Sequence, residues 1–241
     1  MSRYRYAVMM SIISVSAALG LTGVKWGIPS GPRVDMVMPE VLRTERFFGD
    51  MAAGREEIYK YSGGSAIGRI QNTSLTPVLK SIGIGEGENL YFDGDRKVLA
   101  NFIRPFLLRT NHTDEQMTIT ALSGMKPRKL ELNPKIFQYG GVYIYGMGAY
   151  FFTAGYLKIL DISGDIKTYF RDPAKMGRIF TAGRAVNTVF FALCLAVIYL
   201  TGKKFHSDSG GIIASVLFLF CPGVVFQADF RLTTGDMSIQ K

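Results

Sequence analysis

The sequence has few of the residues that build metal centres and disulfide frameworks, and its Gly-rich stretch lacks a nucleotide-binding motif. Only two cysteines and two histidines occur among its 241 residues. Both cysteines, Cys194 and Cys221, lie in apolar blocks, which is typical of packed thiols rather than of a disulfide. No His or Cys cluster stands at metal-ligand spacing, so the acidic residues can hold a weakly bound divalent cation or none. The Gly-rich stretch GIGEGEN lacks the Lys-Ser/Thr of a P-loop and does not match the dinucleotide fingerprint, which predicts a solvent loop.

A basic stripe is also missing. Lys and Arg outnumber Asp and Glu by 28 to 19, which gives a formal net charge of +9. These cations are scattered along the chain and stand beside apolar blocks, which argues against a nucleic-acid-binding face. Such a distribution is typical of orientation signals at membrane edges and favours attraction to phosphate or anionic lipid.

Long apolar runs are what the sequence does contain, with a hydrophobic fraction of 48% and a mean hydropathy of +0.16. The run at residues 6–24 is on the order of the 20 residues that span a bilayer. Arg3 and Arg5 precede it and favour a retained anchor with a cytoplasmic N-terminus. A cleaved signal peptide is the alternative, because Ala17 and Ala18 are small.

Two further apolar blocks, at about 185–200 and 211–226, are separated by a short loop with Lys203, Lys204 and His206, which the positive-inside rule places in the cytoplasm. With a cytoplasmic N-terminus, an even number of crossings must precede this loop. The Tyr- and Gly-rich block 139–160 is therefore expected to lie in or dip into the outer interface without crossing. Residues 27–110 are polar and Gly/Pro-punctuated, and we expect short helices joined by loops in an aqueous compartment.

The stretch NHTDEQM is the strongest candidate site. Thr113 and Gln116 have capping-box spacing, so a helix is predicted to start at Asp114, with Asp114 and Glu115 in the first turn, where exposed amides favour negative charge. The alternative is that both acids are ordinary helix-start residues. A short amphipathic helix ending near Gly124 and Pro127 is expected, too short to span a membrane. Its apolar face comprises Met117, Ala121, Leu122 and Met125.

Acidic and basic residues are predicted to meet on the outer face. The topology places Asp114 and Glu115 there, together with Asp236 in ADFRLTTGD, while Arg178 and Arg184 supply cations at the same level. Alternatively, both arginines lie at the membrane interface and extend their charged ends toward water, which is called snorkelling. Arginine binds phosphate oxygens bidentately, and a carboxylate can take a hydroxyl proton, so the set suits a gripped lipid-linked phosphate and an activated hydroxyl.

A family resemblance covers roughly Thr110–Ser238. Its motifs occur in this order: outer-face HTDE, NP followed by FQYGG, two arginines entering a membrane helix, a short basic turn, CPG and RLTTGD. This order resembles the N-terminal half of the GT-C membrane glycosyltransferases. More narrowly, it is similar to bacterial relatives of the dolichyl-phosphate-mannose protein mannosyltransferases and of the lipid A aminoarabinose transferases. The chain departs from that family at Thr113, where Pro is usual, and at Gly140 and Gly141, where paired prolines are usual.

The resemblance implies an all-α integral membrane protein, a GT-C-like transmembrane helix bundle with a long first outer loop containing short and interfacial helices. Its implied activity is inverting transfer of a sugar from a polyprenyl-phosphate donor to a protein, lipid or glycan hydroxyl on the periplasmic face of a bacterial inner membrane. The absence of a nucleotide-sugar motif agrees with a lipid-linked donor. No cofactor is certain and nucleic acid is not an expected partner.

Roles carried over from the family are assigned to individual residues. The implied catalytic residues are Asp114 as the base, Glu115 in support and Asp236 as the second-loop acid, which orients the acceptor or shares a bound cation. Arg178 or Arg184 is implied to hold the donor phosphate. The implied acceptor or donor pocket contains His112, Tyr139 and Tyr143.

Three segments follow from these expectations. Residues 1–26 form a transmembrane anchor, residues 27–184 form the outer loop with HTDE, and residues 185–241 form two transmembrane helices and the start of a second outer loop. The family continues with many more membrane helices, so the chain is expected to be truncated. The alternative function is a non-catalytic membrane subunit or scaffold, or an inactive fragment of such a transferase.

Overall fold

The structure, a computed structural model, describes residues 3–61, 78–84, 87–93, 95–136 and 139–221. Its contacts divide the chain into two compact units. The first unit comprises Met1–Gly27 and Thr181–Lys241, and the second comprises Ile28–Phe180. The predicted segment boundaries after residues 26 and 184 describe the side of a membrane on which each segment lies. Contacts within the chain do not test membrane sidedness, so these boundaries stay predictions.

The described part of the chain is mostly helical, which confirms the predicted predominance of helix. Short 3-10 turns lie at Glu40–Leu42 and Pro127–Lys129. In chain order the α-helices are α1 (Arg3–Leu21), α2 (Gly31–Val37), α3 (Glu45–Tyr61), α4 (Arg96–Leu108), α5 (Thr113–Gly124), α6 (Gly141–Tyr156), α7 (Lys167–Arg171), α8 (Pro173–Phe205) and α9 (Asp208–Leu219).

One antiparallel hairpin interrupts the helical pattern and corrects the expectation of only short helices and loops over residues 27–110. Strands β1 (Val78–Ile84) and β2 (Gly87–Asp93) pair so that Val78 lies opposite Asp93 and Ile84 opposite Gly87. GIGEGEN, predicted to be a solvent loop, therefore contributes residues to both strands. Its glycines separate two runs rich in aliphatic and aromatic residues, a pattern that is typical of a hairpin.

The first unit is built from α1, α9 and the part of α8 after residue 180. A cluster of three buried residues, Ile12, Leu195 and Leu219, joins these helices. Helices α8 and α9 approach so closely that a Cβ at Gly211 would lie 2.5 Å from the carbonyl oxygen of Tyr199. Small residues that let helix backbones approach are typical of helix packing in membranes.

Helix α8 is, among the described residues, the helix long and apolar enough to cross a membrane by length and composition. Its 33 residues begin at Pro173, so the predicted block 185–200 is the later part of a longer helix. Only 17% of its most apolar stretch is buried. One face carries a stripe of side chains that are 56–61% exposed, made up of Val189, Leu193, Val197 and Leu200.

Both cysteines are free thiols, as predicted, but the expectation that they are packed is wrong, because both are exposed. Cys194 follows the exposed Leu193 and precedes the fully buried Leu195, so it lies toward the outward side of α8.

Helices shorter than α8 account for the other apolar blocks. They are Ala7–Leu21 within α1, and α9, which ends at Leu219. The remainder of the predicted block 211–226, from residue 222 onward, lies outside the described residues.

The second unit has its own core where α2, α3, α4 and α7 meet. Its buried residues are Val34, Met38, Phe47, Phe48, Met51, Ala100, Ile103, Leu107 and Phe170. Phe48 stacks on Phe170 with ring centroids 6.4 Å apart.

Farther along the same unit, α6 is 16 residues long. At ~1.5 Å per residue its length is about 24 Å, which is less than the ~30 Å thickness of a bilayer core. Its placement in an outer interface stays a prediction.

Helices α3 and α4 touch at Gly54, and this contact provides a test of the packing. A Cβ at Gly54 would lie 2.2 Å from Asn101 Oδ1, which accepts a hydrogen bond from buried Arg104. We predict that Gly54→Ala lowers the free energy of unfolding by about 1–3 kcal/mol, because the side chains around it must shift. Chemical denaturation followed by circular dichroism measures the change.

Gly49→Ala is the matched control on the same helix. A Cβ at Gly49 meets nothing within 4 Å, so we expect this substitution to stabilise the protein by up to about 1 kcal/mol through helix propensity. Equal effects of the two alanines would contradict the close approach of α3 and α4.

Candidate functional site

The turn before α5 fixes where the NHTDEQM stretch becomes helical. The side chain of Thr110 is buried, and its Oγ1 accepts a hydrogen bond from the His112 amide at 3.2 Å and donates one to the His112 carbonyl at 3.0 Å. The helix then begins at Thr113, one residue before the predicted start. Its N-cap is His112, whose side chain makes no capping hydrogen bond, so Thr113 is the first helical residue and not the predicted cap.

The two acids of HTDE lie in the first turn of α5. The backbone places Asp114 and Glu115 as the second and third residues of the helix, where amide groups without helical partners favour negative charge. The side chain of Glu115 is half-buried, whereas that of Asp114 lies outside the description. Asp236, the third predicted catalytic residue, lies outside the described residues.

His112 and Gln116 form a feature that the sequence did not indicate. His112 is the N-cap of α5 and Gln116 the fourth residue of that helix. His112 Nδ1 and Gln116 Oε1 are both buried, and neither has a hydrogen-bond partner within the part of the chain that the structure describes. Buried polar atoms in native proteins are nearly always satisfied, so a pair left open beside two acids indicates a place for a polar ligand or water. From the sequence, Gln116 is expected only to be a capping partner.

The predicted apolar face of α5 is confirmed, and it connects the helix to α6. Buried Ala121, Ile136 and Ile144 form one cluster. The partly buried hydrophobic residues packed against it are Met117, Leu122, Met125 and Tyr143. The ring of Tyr139 meets that of Tyr143 edge to face, with centroids 6.4 Å apart and an interplanar angle of 66°. Tyr143 thus belongs to the contact between α5 and α6, and Tyr139 packs against it.

The two predicted phosphate-binding arginines have different surroundings. Arg184, in the first unit, is 2% exposed, and its Nη1 donates to the carbonyl oxygens of Val24 at 2.8 Å and Trp26 at 2.7 Å. It therefore satisfies carbonyl groups just beyond the end of α1. Arg178 belongs to the second unit, has a side chain that is 56% exposed, and lies 3.8 Å from Asp172. Of the two, Arg178 is the side chain that a ligand can reach.

Within the described ranges, no group of three or more His, Cys, Asp or Glu side chains is placed to hold a metal ion.

No family model matches the chain, and neither a search of curated proteins nor one of solved structures finds a match. Any function for this chain is therefore argued from its own residues.

The structural role of Arg184 can be measured directly. We predict that Arg184→Met leaves the Val24 and Trp26 carbonyls without a buried donor and lowers the free energy of unfolding, by about 1–3 kcal/mol for each unsatisfied group. Arg178→Met removes the same charge from an exposed position of the same helix and should change it by no more than about 0.5 kcal/mol. Unfolding curves for the two variants, recorded in one buffer, provide the comparison. A wild-type midpoint for Arg184→Met would show that these carbonyl contacts do not hold the end of α1.

Proposed function

We propose that this chain is a membrane glycosyltransferase. It moves a sugar from a polyprenyl-phosphate-linked donor to an acceptor hydroxyl on the outer face of a membrane, with inversion at the anomeric carbon. The observation that carries the proposal is the ordered set of motifs from HTDE to RLTTGD, with Asp114 and Glu115 in the first turn of a helix. The buried polar atoms of His112 and Gln116 on that turn support it, because hydroxyl groups of a sugar or acceptor can satisfy them.

The proposed architecture is a GT-C-like transmembrane helix bundle in a bacterial inner membrane, with the site on the periplasmic side. Helix α8 supports the membrane assignment by its length and by the exposed apolar stripe along it. Contiguous apolar surface of this kind is costly in water and favourable in lipid. Close packing at Gly211 supports a helix bundle, since small residues allow helices to associate where lipid removes the hydrophobic driving force.

The proposed chemistry is a single displacement at the anomeric carbon. The acceptor oxygen attacks that carbon, its proton passes to the Asp114 carboxylate, and the bond from the sugar to the phosphate oxygen breaks. Phosphate leaves as an anion of low basicity, so one base and a cationic clamp suffice. A glycoside hydrolase, in contrast, needs an acid and a second carboxylate across the sugar. Glu115 supports the base, and Asp236 orients the acceptor.

The proposed binding groups follow from accessibility. Arg178 is the better candidate for the departing phosphate, because it is exposed and its ion pair with Asp172 is long, at 3.8 Å, whereas Arg184 already binds two carbonyl groups. Tyr139 and Tyr143 belong to the pocket for donor or acceptor, since their rings pack beside the face of α5. The acceptor class, whether protein, lipid or glycan, depends on contacts beyond these residues.

Asp114→Asn tests the assigned base. The substitution keeps the size of the side chain and removes its ability to take a proton, so we expect transfer to fall by about 10²–10⁴-fold while binding of the donor lipid is retained. The assay follows radiolabel from a polyprenyl-phosphate sugar to an acceptor. Glu40→Gln is the control, because Glu40 is an exposed acid in a 3-10 turn of the same unit. Wild-type turnover in Asp114→Asn would remove this residue from the mechanism.

Cysteine labelling tests the topology separately from catalysis. In a chain carrying Cys194→Ser and Cys221→Ser, we expect an impermeant maleimide to label Lys129→Cys in intact cells and Lys204→Cys only after permeabilisation. Lys129 and Lys204 are both exposed, so protein burial does not explain a difference between them. Labelling of Lys204→Cys in intact cells would overturn the proposed orientation, and protection of both sites until permeabilisation would place α5 on the inner side.

A further inference from the structure

Helix α6 in the second unit is apolar on both of its faces. Its 16 residues, GVYIYGMGAYFFTAGY, include no charged side chain. One face is buried and comprises Ile144, Met147, Phe151 and Ala154. The opposite face, here called the α6 stripe, is exposed and comprises Val142, Tyr145, Ala149, Phe152 and Tyr156. A helix on a surface in water normally turns polar residues outward, so this composition is typical of a helix with apolar surroundings on both sides.

The α6 stripe is continuous along the helix. Its members recur at intervals of three and four residues, which places their side chains along one side. The exposed fraction is 92% at Val142 near the start, 70% at Phe152 and 79% at Tyr156 at the end. Leu157 and Ile159, just beyond the helix, are also more than half exposed. Contiguous exposed apolar surface of this kind marks a contact with a protein or a membrane.

The packing of the first unit shows that α1 and α8 run in opposite directions. Ile12 shares a buried cluster with Leu195. Farther along α1, a Cβ at Gly20 would lie 2.8 Å from Thr188 Cγ2. Later residues of α1 therefore meet earlier residues of α8, so the two helices are antiparallel. If both cross a bilayer, the chain between them begins and ends on the same side, and α6 has no crossing to make.

Both chain connections to the second unit leave the first unit at one end. The second unit follows Gly27 and ends just before Thr181, and near these points Arg184 donates to the carbonyl oxygen of Trp26. Lys25, which precedes Trp26, is exposed. Trp and Lys at the end of an apolar helix are typical of a membrane–water interface. In the proposed architecture the second unit is thus tethered near the bilayer surface at both of its ends, which makes lipid the partner within reach of the α6 stripe.

We propose that α6 docks the second unit onto the bilayer surface through the α6 stripe. The helix lies parallel to the membrane plane, with the stripe among the lipid headgroups and the buried face toward the protein. Tyr145 and Tyr156 favour that depth, because tyrosine has an apolar ring and a polar hydroxyl. Exposed Lys158, just after the helix, can reach lipid phosphates. The proposal rests on the membrane architecture proposed above and does not depend on Asp114 or on glycosyl transfer.

The sequence alone leaves two arrangements open for this block, lying in the interface or dipping into the bilayer. Buried residues recur along α6 from Ile144 to Ala154, and Ile144 belongs to one cluster with Ala121 of α5. A helix that entered the bilayer end first would withdraw these side chains from their protein contacts. The packing therefore favours the parallel arrangement. A second copy of the chain is the other candidate partner for the stripe.

Spin labelling of the full chain tests the docking, in proteoliposomes of phosphatidylglycerol and phosphatidylcholine. A nitroxide is attached at Val142→Cys or Phe152→Cys in a chain that also carries Cys194→Ser and Cys221→Ser. Collisions with oxygen, which concentrates in lipid, and with a water-soluble nickel chelate measure its depth. We expect both labels to lie ~5–10 Å inside the headgroup boundary. Val41→Cys is the matched control, since Val41 is 79% exposed in a 3-10 turn of the same unit, and its label should report water.

Four results would contradict the docking in different ways. Water-like values at both α6 labels, in chain that resists alkaline carbonate extraction, overturn it and leave the membrane architecture intact. Depths that differ by ~15 Å, the distance between the two positions along a helix axis, overturn the parallel arrangement. Spin–spin broadening that disappears on dilution with unlabelled chain shows a second copy on the stripe in place of lipid. Extraction of the chain by carbonate contradicts the membrane architecture and the docking together.

Discussion

Carbonyl groups at and just beyond helix C-termini must find hydrogen-bond donors, and in this protein three arginine side chains supply some of them. An α-helix leaves its last four carbonyls without internal partners, and a cation suits that negative end of the helix dipole. Three arginines donate to carbonyl groups that lie just after helices: Arg184 to those of Val24 and Trp26 after α1, Arg43 to that of Met38 after α2, and Arg33 to that of Arg109 after α4. Such contacts occur in both units, at Arg184 in the first and at Arg33 and Arg43 in the second.

This use of arginine changes how the net charge of +9 is interpreted. From the sequence, cations beside apolar blocks indicated membrane orientation and phosphate binding. In the structure, Arg184 donates to two backbone carbonyl groups, whereas the side chain of Arg178 is exposed.

Local patterns predicted local structure well. The apolar spacing of Met117, Ala121 and Met125 indicated the face of α5, and Gly124 its end, because both depend on neighbours within a few turns. The hairpin was missed, since a Gly-rich stretch is compatible with a loop or a turn until its flanking strands are seen to pair. The partners of Arg184 are 158 and 160 residues away, and the open atoms of His112 and Gln116 depend on burial, so neither could be foreseen from sequence spacing.

Glycosyl transfer with inversion is the central claim, and the stereochemistry of the product tests it most directly. The measurement uses the wild-type chain in proteoliposomes with a polyprenyl-phosphate sugar of known anomeric configuration, and NMR of the glycosylated acceptor. The account predicts a product whose anomeric configuration is opposite to that of the donor, with release of polyprenyl phosphate. A retained configuration, or no transfer by folded chain that binds the donor lipid, would contradict it.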